Sequence, residues 1–123
     1  MSRRTVIAVD LDGTLAHYDK WPGEGIIGLP IPPMVDNVKR WLRLGYIVII
    51  FTARATDDFE IRAIQEWLMD QDLPPLMVTR EKLKIFDEIW DDRAIGVERN
   101  TGKITTGGVI ALDATRNHQV PNV

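Results

Sequence analysis

The sequence predicts an α/β domain: a Rossmann-like, three-layer α/β/α arrangement around a central, mainly parallel sheet, with no cap domain. Three observations support this. Residues 5–9 (TVIAV) and 46–51 (YIVIIF) are short, nearly continuous apolar runs rich in β-branched residues, as strands buried on both faces are. Stretches with helical spacing lie between and after them, and strands alternating with helices imply a parallel sheet. Finally, Asp10, Asp12, Thr52, Asp91 and Asp92 all fall just after apolar runs. The carboxyl ends of strands are where open α/β sheets bind ligands.

Taken in order, the first strand ends at Asp10. Residues 15–33 carry Pro22, Gly23, Gly25, Gly28, Pro30, Pro32 and Pro33 and read as a long loop or small hairpin. Val35, Val38, Trp41 and Leu42 recur at helical spacing between Pro32-Pro33 and Gly45, which suit a helix start and stop. After the second strand a helix is expected over residues 57–71. Asp57 and Glu60 would form a cap resembling the capping box, and Ile61, Ile64 and Leu68 an apolar stripe. Pro74-Pro75 stops it. Residues 76–79 read as a third strand, 80–86 as a helical turn, and Ile89-Trp90 as a fourth strand. Asn100-Thr101-Gly102 signals a turn between residues 94–98 and 103–105. The domain is expected to span residues 1–113, with 114–123 a frayed tail.

With 123 residues, 45% hydrophobic and 27% charged, the chain has the make-up of one globular domain. It has no cysteine, so disulfides, zinc–thiolate sites and thiolate nucleophiles are excluded. The net charge of −3 argues against wrapping a long nucleic acid, which usually needs a basic face. The first apolar run is too short for a signal-peptide core or a membrane span, so a cytoplasmic location and no membrane partner are expected.

The chemistry starts at Asp10-Leu11-Asp12-Gly13-Thr14. Two carboxylates two residues apart raise one another's pKa unless a cation offsets them. Mg²⁺ suits this setting, since it takes oxygen ligands and usually only one or two carboxylates. An Asp-Gly pair alone is most often a turn. The full D-x-D-G-T string, however, should arise by chance in only about one chain per thousand of this length.

This string resembles the first motif of the haloacid dehalogenase (HAD) superfamily of phosphohydrolases. Thr52 in Phe51-Thr52-Ala53-Arg54 matches the second motif, and Asp91-Asp92 matches the acidic pair of the fourth. For the third motif, a lysine ahead of that pair, Lys82 and Lys84 both qualify; Lys82 is favoured because it lies three residues past Thr79. The resemblance covers residues 5–98. It implies an Mg²⁺-dependent phosphatase in which Asp10 is the nucleophile, forming an aspartyl-phosphate, and Asp12 the general acid and base. Thr52 and Lys82 would bind phosphoryl oxygens, with Gly13, Thr14, Ala53 and Arg54 also touching substrate. The metal would be held by Asp10, the backbone carbonyl of Asp12, and Asp91, with Asp92 alongside.

Residues 14–35 leave room for a flap but no independent cap. The open site suits a large substrate or a covering partner subunit, in a monomer or homodimer. Residues 33–46 with Thr52-Ala53-Arg54 are also similar to polynucleotide 3′-phosphatase domains, so the expected substrate is a phosphorylated small molecule, a nucleotide or a nucleic-acid end. Arg54, Arg80 and Arg93 suit bidentate clamping of a substrate phosphate, and Arg93 equally suits pairing with a neighbouring carboxylate. Trp21 suits either stacking on a substrate ring or packing the loop down. Two other classes stay open: a non-catalytic phosphometabolite or nucleotide binder on the same fold, and a metal-dependent nuclease.

Overall fold

The computed structural model describes residues 3–105. One compact unit ends at Asp92 and a second begins at Arg93. The expected tail, residues 114–123, and the expected domain end at 113 lie outside the described residues. No helix among the described residues is long and apolar enough to cross a membrane.

The first unit runs β1 (Val6–Val9), α1 (Pro32–Arg43), β2 (Ile47–Phe51), α2 (Asp58–Asp70), β3 (Val78–Thr79) and β4 (Glu88–Trp90). The sheet is all parallel, in the order β3-β2-β1-β4. This is the α/β, Rossmann-like class that the apolar runs predict. The chain moves from β1 outward through β2 to β3, then returns to pair β4 with the other side of β1. The carboxyl end of β1 is therefore the topological switch point.

Strand alternation decides what covers each face. Ile7, Val9, Val48, Ile50 and Val78 share one face and form a single core with Val35, Val38 and Trp41 of α1 and Ile64, Trp67 and Leu68 of α2. Both helices thus lie on the same side, as two right-handed crossovers running in the same direction require. Among the described residues the sheet therefore carries one helical layer where the expected α/β/α arrangement has two. Trp90, in register with Val9, joins this side by packing on Trp41 at 4.9 Å between ring centroids. Each fully buried Ile or Leu side chain here contributes about 1.5–3 kcal/mol.

The opposite face carries Val6, Ala8, Ile49 and Phe51. Phe86, from the connection between β3 and β4, stacks on Phe51 at 5.4 Å. The helical turn expected over residues 80–86 does not form. A single tight turn, closed by the Phe86 amide on the Leu83 carbonyl at 3.2 Å, stands in its place. The reason is reach. Crossing three strand spacings of about 4.8 Å, and returning to the start of a parallel strand, exceeds the roughly 12 Å that eight helical residues span.

The helix ends follow local chemistry. Pro32 and Pro33 open α1, where a missing N–H costs nothing, and Gly45 follows its cap at φ +85°. Asp57 caps α2 by accepting the Glu60 amide at 2.9 Å. The reciprocal half of the expected capping box is absent, because the Glu60 side chain is buried and turned elsewhere. Residues 11–31 form a flap pinned by short backbone bonds, His17 to Leu29 at 2.7 Å and Ile31 to Leu15 at 2.9 Å. Only glycine fits at position 28, since a Cβ there would lie 2.1 Å from the His17 carbonyl oxygen.

In the second unit, Val97 and Ile104 pair antiparallel, and Asn100 (φ 67°) and Gly102 (φ 79°) make the turn. The small hairpin signalled by Asn100-Thr101-Gly102 is present.

Candidate metal and phosphate site

Asp10 follows β1 directly, and its backbone amide bonds the Trp90 carbonyl of β4 at 2.9 Å. That bond sets the end of β1 beside Asp91 and Asp92, about 80 positions away in sequence. Asp10, Asp91 and Asp92 each offer a carboxylate oxygen, all within 4.8 Å of one another. Like charges this close are costly. Burial first, then the charge of Asp91, then a hydrogen bond and charge from Asp92 push the Asp10 carboxyl up from 3.8 to about 7, against a backbone hydrogen bond from Leu11. Crowding of this kind favours a shared proton or a bound cation. Three hard oxygen donors at this spacing fit a divalent metal ion.

Gly13 and Thr14 shape the same corner. Thr14 is buried and donates its hydroxyl to Asp92 Oδ1 at 3.1 Å. Gly13 adopts φ +88°, and a Cβ on it would stand 2.6 Å from Asp92 Oδ2. Gly13→Ala should therefore both strain the backbone and push Asp92 out of the trio. The expected loss is about 1–3 kcal/mol of stability, readable in urea unfolding, with weaker divalent-cation binding by calorimetry. Unchanged cation affinity would show that Asp92 is not held against Gly13.

Thr52 directly follows β2 and is buried, its amide bonded to the Thr79 carbonyl at 2.9 Å. Its hydroxyl accepts the Arg54 amide at 3.3 Å, stabilising the turn through the exposed Ala53. Arg54 is the residue whose setting the sequence conceals. Its side chain is 2% exposed, and its fork meets the Asp12 carboxylate with two bonds, Nε to Oδ2 at 3.0 Å and Nη2 to Oδ1 at 2.9 Å. Nη1 donates to the Ile26 carbonyl at 2.6 Å, and the Trp21 ring covers the guanidinium at 4.6 Å. Arg54 is thus committed to Asp12 and the flap, and the Asp12 carboxylate is not part of the acidic trio.

Behind Arg54 lies Glu60, also buried. Its Oε1 accepts the Gly25 amide, and Oε2 lies 3.9 Å from Arg54 Nη1. From sequence alone Glu60 reads only as a capping residue. The available signal was its place on the α2 stripe, in step with Ile64, Trp67 and Leu68. Lys82 and Lys84 are both exposed on the connection before β4, outside the hydrogen-bonded cluster. Arg80 is exposed at the end of β3, and Arg93 opens the second unit.

Fold and site together define an α/β domain with a carboxylate cluster at its switch point that could hold a metal ion. A solved structure described as the conserved protein coded by a locus from Bacteroides thetaiotaomicron is similar to this chain. The two share 27% sequence identity over 88% of this chain and 87% of that one, with a TM-score of 0.57. No protein-family model and no curated protein matches the chain.

Proposed function

We propose that this chain is a HAD-type phosphatase that hydrolyses phosphate monoesters with the help of Mg²⁺. The observation that carries the reading is the meeting of Asp10, Asp91 and Asp92 within 4.8 Å at the switch point, with Asp12 on the same loop held by a buried arginine. The order of these residues also matches the motifs by which the sequence resembles that superfamily.

An Asp10 carboxylate oxygen attacks phosphorus, and the bond to the leaving oxygen breaks. Asp12 hands that oxygen a proton, then takes one from the water that attacks the aspartyl-phosphate, and Asp10 is freed with inorganic phosphate. Thr52 and one of Lys82 and Lys84 bind phosphoryl oxygens; Lys82 remains the preferred lysine. Mg²⁺, held by Asp10, Asp91 and the Asp12 carbonyl with Asp92 beside it, would offset negative charge in the transition state. Its substrates are phosphorylated small molecules, nucleotides or nucleic-acid ends met in the cytoplasm, taken by a monomer or homodimer with no cap of its own.

The test is phosphate release from an aryl phosphate, a panel of phosphometabolites and nucleotides, and 3′- or 5′-phosphorylated oligonucleotides. Turnover should vanish with a chelator and return with Mg²⁺. Tight nucleotide binding with no turnover under any metal would overturn the reading in favour of a binder, and cleavage inside an oligonucleotide in favour of a nuclease. Asp12→Asn should lower kcat by about 10²–10⁴-fold on alkyl phosphates and far less on aryl ones, whose leaving groups need less protonation. Equal losses on both would remove Asp12 from the acid role.

A further inference from the structure

We propose that Arg54 is the positioning residue for Asp12, that the buried Glu60 holds Arg54 in place, and that this relay makes the catalytic step depend on the seated flap. The proposal rests on the phosphatase reading above and goes beyond it.

Geometry carries the argument. An acid that must protonate a leaving oxygen needs a fixed direction, and misplacement by 1 Å can cost about 10²-fold. An aspartate on a loop does not supply that direction alone. The two-bond contact from Arg54 fixes the plane of the Asp12 carboxylate. Each oxygen keeps a second lone-pair direction for the proton it carries. Arg54 cannot also serve as an open phosphate clamp, since three of its N–H groups are engaged and Trp21 covers its face.

Glu60 explains why the guanidinium stays put. Its Oε2 is buried with no hydrogen-bond partner and faces Arg54 Nη1. A carboxylate left so incompletely satisfied in the interior disfavours stability, which points to a role in holding Arg54. Glu60 also grips the Gly25 amide, Arg54 grips the Ile26 carbonyl, and Trp21 lies over the guanidinium. Three points of the flap therefore converge on the pair that orients Asp12. A flap displaced at any of them loosens the acid.

The experiment uses the full chain with Arg54→Lys, which keeps charge but loses the fork, and Glu60→Gln, which keeps shape but loses charge. Steady-state kinetics with Mg²⁺ compare p-nitrophenyl phosphate with glycerol phosphate, whose leaving group is poor. For Arg54→Lys we expect kcat to fall about 30-fold or more on glycerol phosphate and less than about 5-fold on the aryl ester, with KM little changed. Glu60→Gln should shift the same ratio in the same direction by less, and Asp12→Asn/Arg54→Lys should be no worse than Asp12→Asn on glycerol phosphate. Equal losses on both substrates, or a raised KM, overturn the proposal in favour of phosphate binding or plain structural support. If Arg54→Lys fails to fold by circular dichroism, Glu60→Gln decides alone by the substrate ratio.

Hydrogen exchange at the Gly25 amide supplies a readout independent of turnover and should speed up in both variants. Unchanged exchange sinks the relay even in an active enzyme. A wild type that releases no phosphate sinks the phosphatase reading, and with it the catalytic half of the proposal.

Discussion

Asp10→Asn is expected to abolish turnover and, at the same time, to make the metal-free protein more stable. Loss of the nucleophile should lower kcat by at least about 10³-fold. The gain in stability follows from the crowding of three carboxylates. In the folded state the Asp10 carboxyl is raised from 3.8 to about 7. Between those values the unfolded chain binds fewer protons than the folded one, so this group's contribution to stability falls as pH rises from about 4 to 7. Above pH 7 the full penalty is present. Undiscounted, the shift corresponds to about 4 kcal/mol, and partial exposure to water reduces it to roughly 1–2 kcal/mol. Neutral Asn removes the penalty, so the metal-free variant should melt about 5 °C above wild type at pH 8 and close to it at pH 4. Mg²⁺ should stabilise wild type more at pH 8 than at pH 5, because it competes with the shared proton. Melting curves at these pH values, with chelator and with Mg²⁺, decide the matter. A chelated wild type that becomes more stable from pH 5 to pH 8 would contradict the crowded trio.

Arg54→Met should be among the most destabilising single changes in the chain. Removing the guanidinium leaves the Glu60 carboxylate in the interior with no opposite charge, at a cost of about 3–5 kcal/mol. Total stability for a domain of this kind is about 5–15 kcal/mol, so a sizeable share would be lost. Asp12, closer to water, can rehydrate; Glu60 cannot. Adding Glu60→Leu to Arg54→Met should therefore restore part of the loss, although the Gly25 amide then lacks its acceptor. Urea unfolding of the two single variants and the double variant measures the coupling. Additive losses would show that the two side chains do not act on one another.

Where a single period dominates, structure was legible from residues alone. β1, β2 and both helices follow from apolar runs and from Val35/Val38/Trp41 and Ile64/Leu68 spacings, because tertiary packing uses the faces these patterns create. The convergence of Asp10, Asp91 and Asp92 was legible as well, since parallel topology sends every strand end to one edge. Residues 80–86 depart from the helical turn their sequence suggests because their conformation answers to the distance between β3 and β4, which no local pattern encodes. The Asp12–Arg54–Glu60 network was hidden for a similar reason. The immediate neighbours of Arg54 suggest a clamp, and those of Glu60 a cap. Their true partners come from the flap and from a different loop.

The pairing of β1 with β4 has a kinetic consequence. β4 is three exposed residues long, held to the start of β1 by the Asp87 amide and carboxylate on Val6, each at 2.8 Å, and braced by Arg3. Among the described residues it is the last strand of the sheet to be made and the one with the largest loop to close, so it adds to the fold late and can detach first. Every detachment takes Asp91 and Asp92 away from Asp10 while the helix-covered core stays intact. A cation shared among the three would fasten the final strand to the first. The Asp10 amide, bonded to Trp90, would then exchange its hydrogen in step with occupancy of the trio, reporting when the last piece of the sheet has locked.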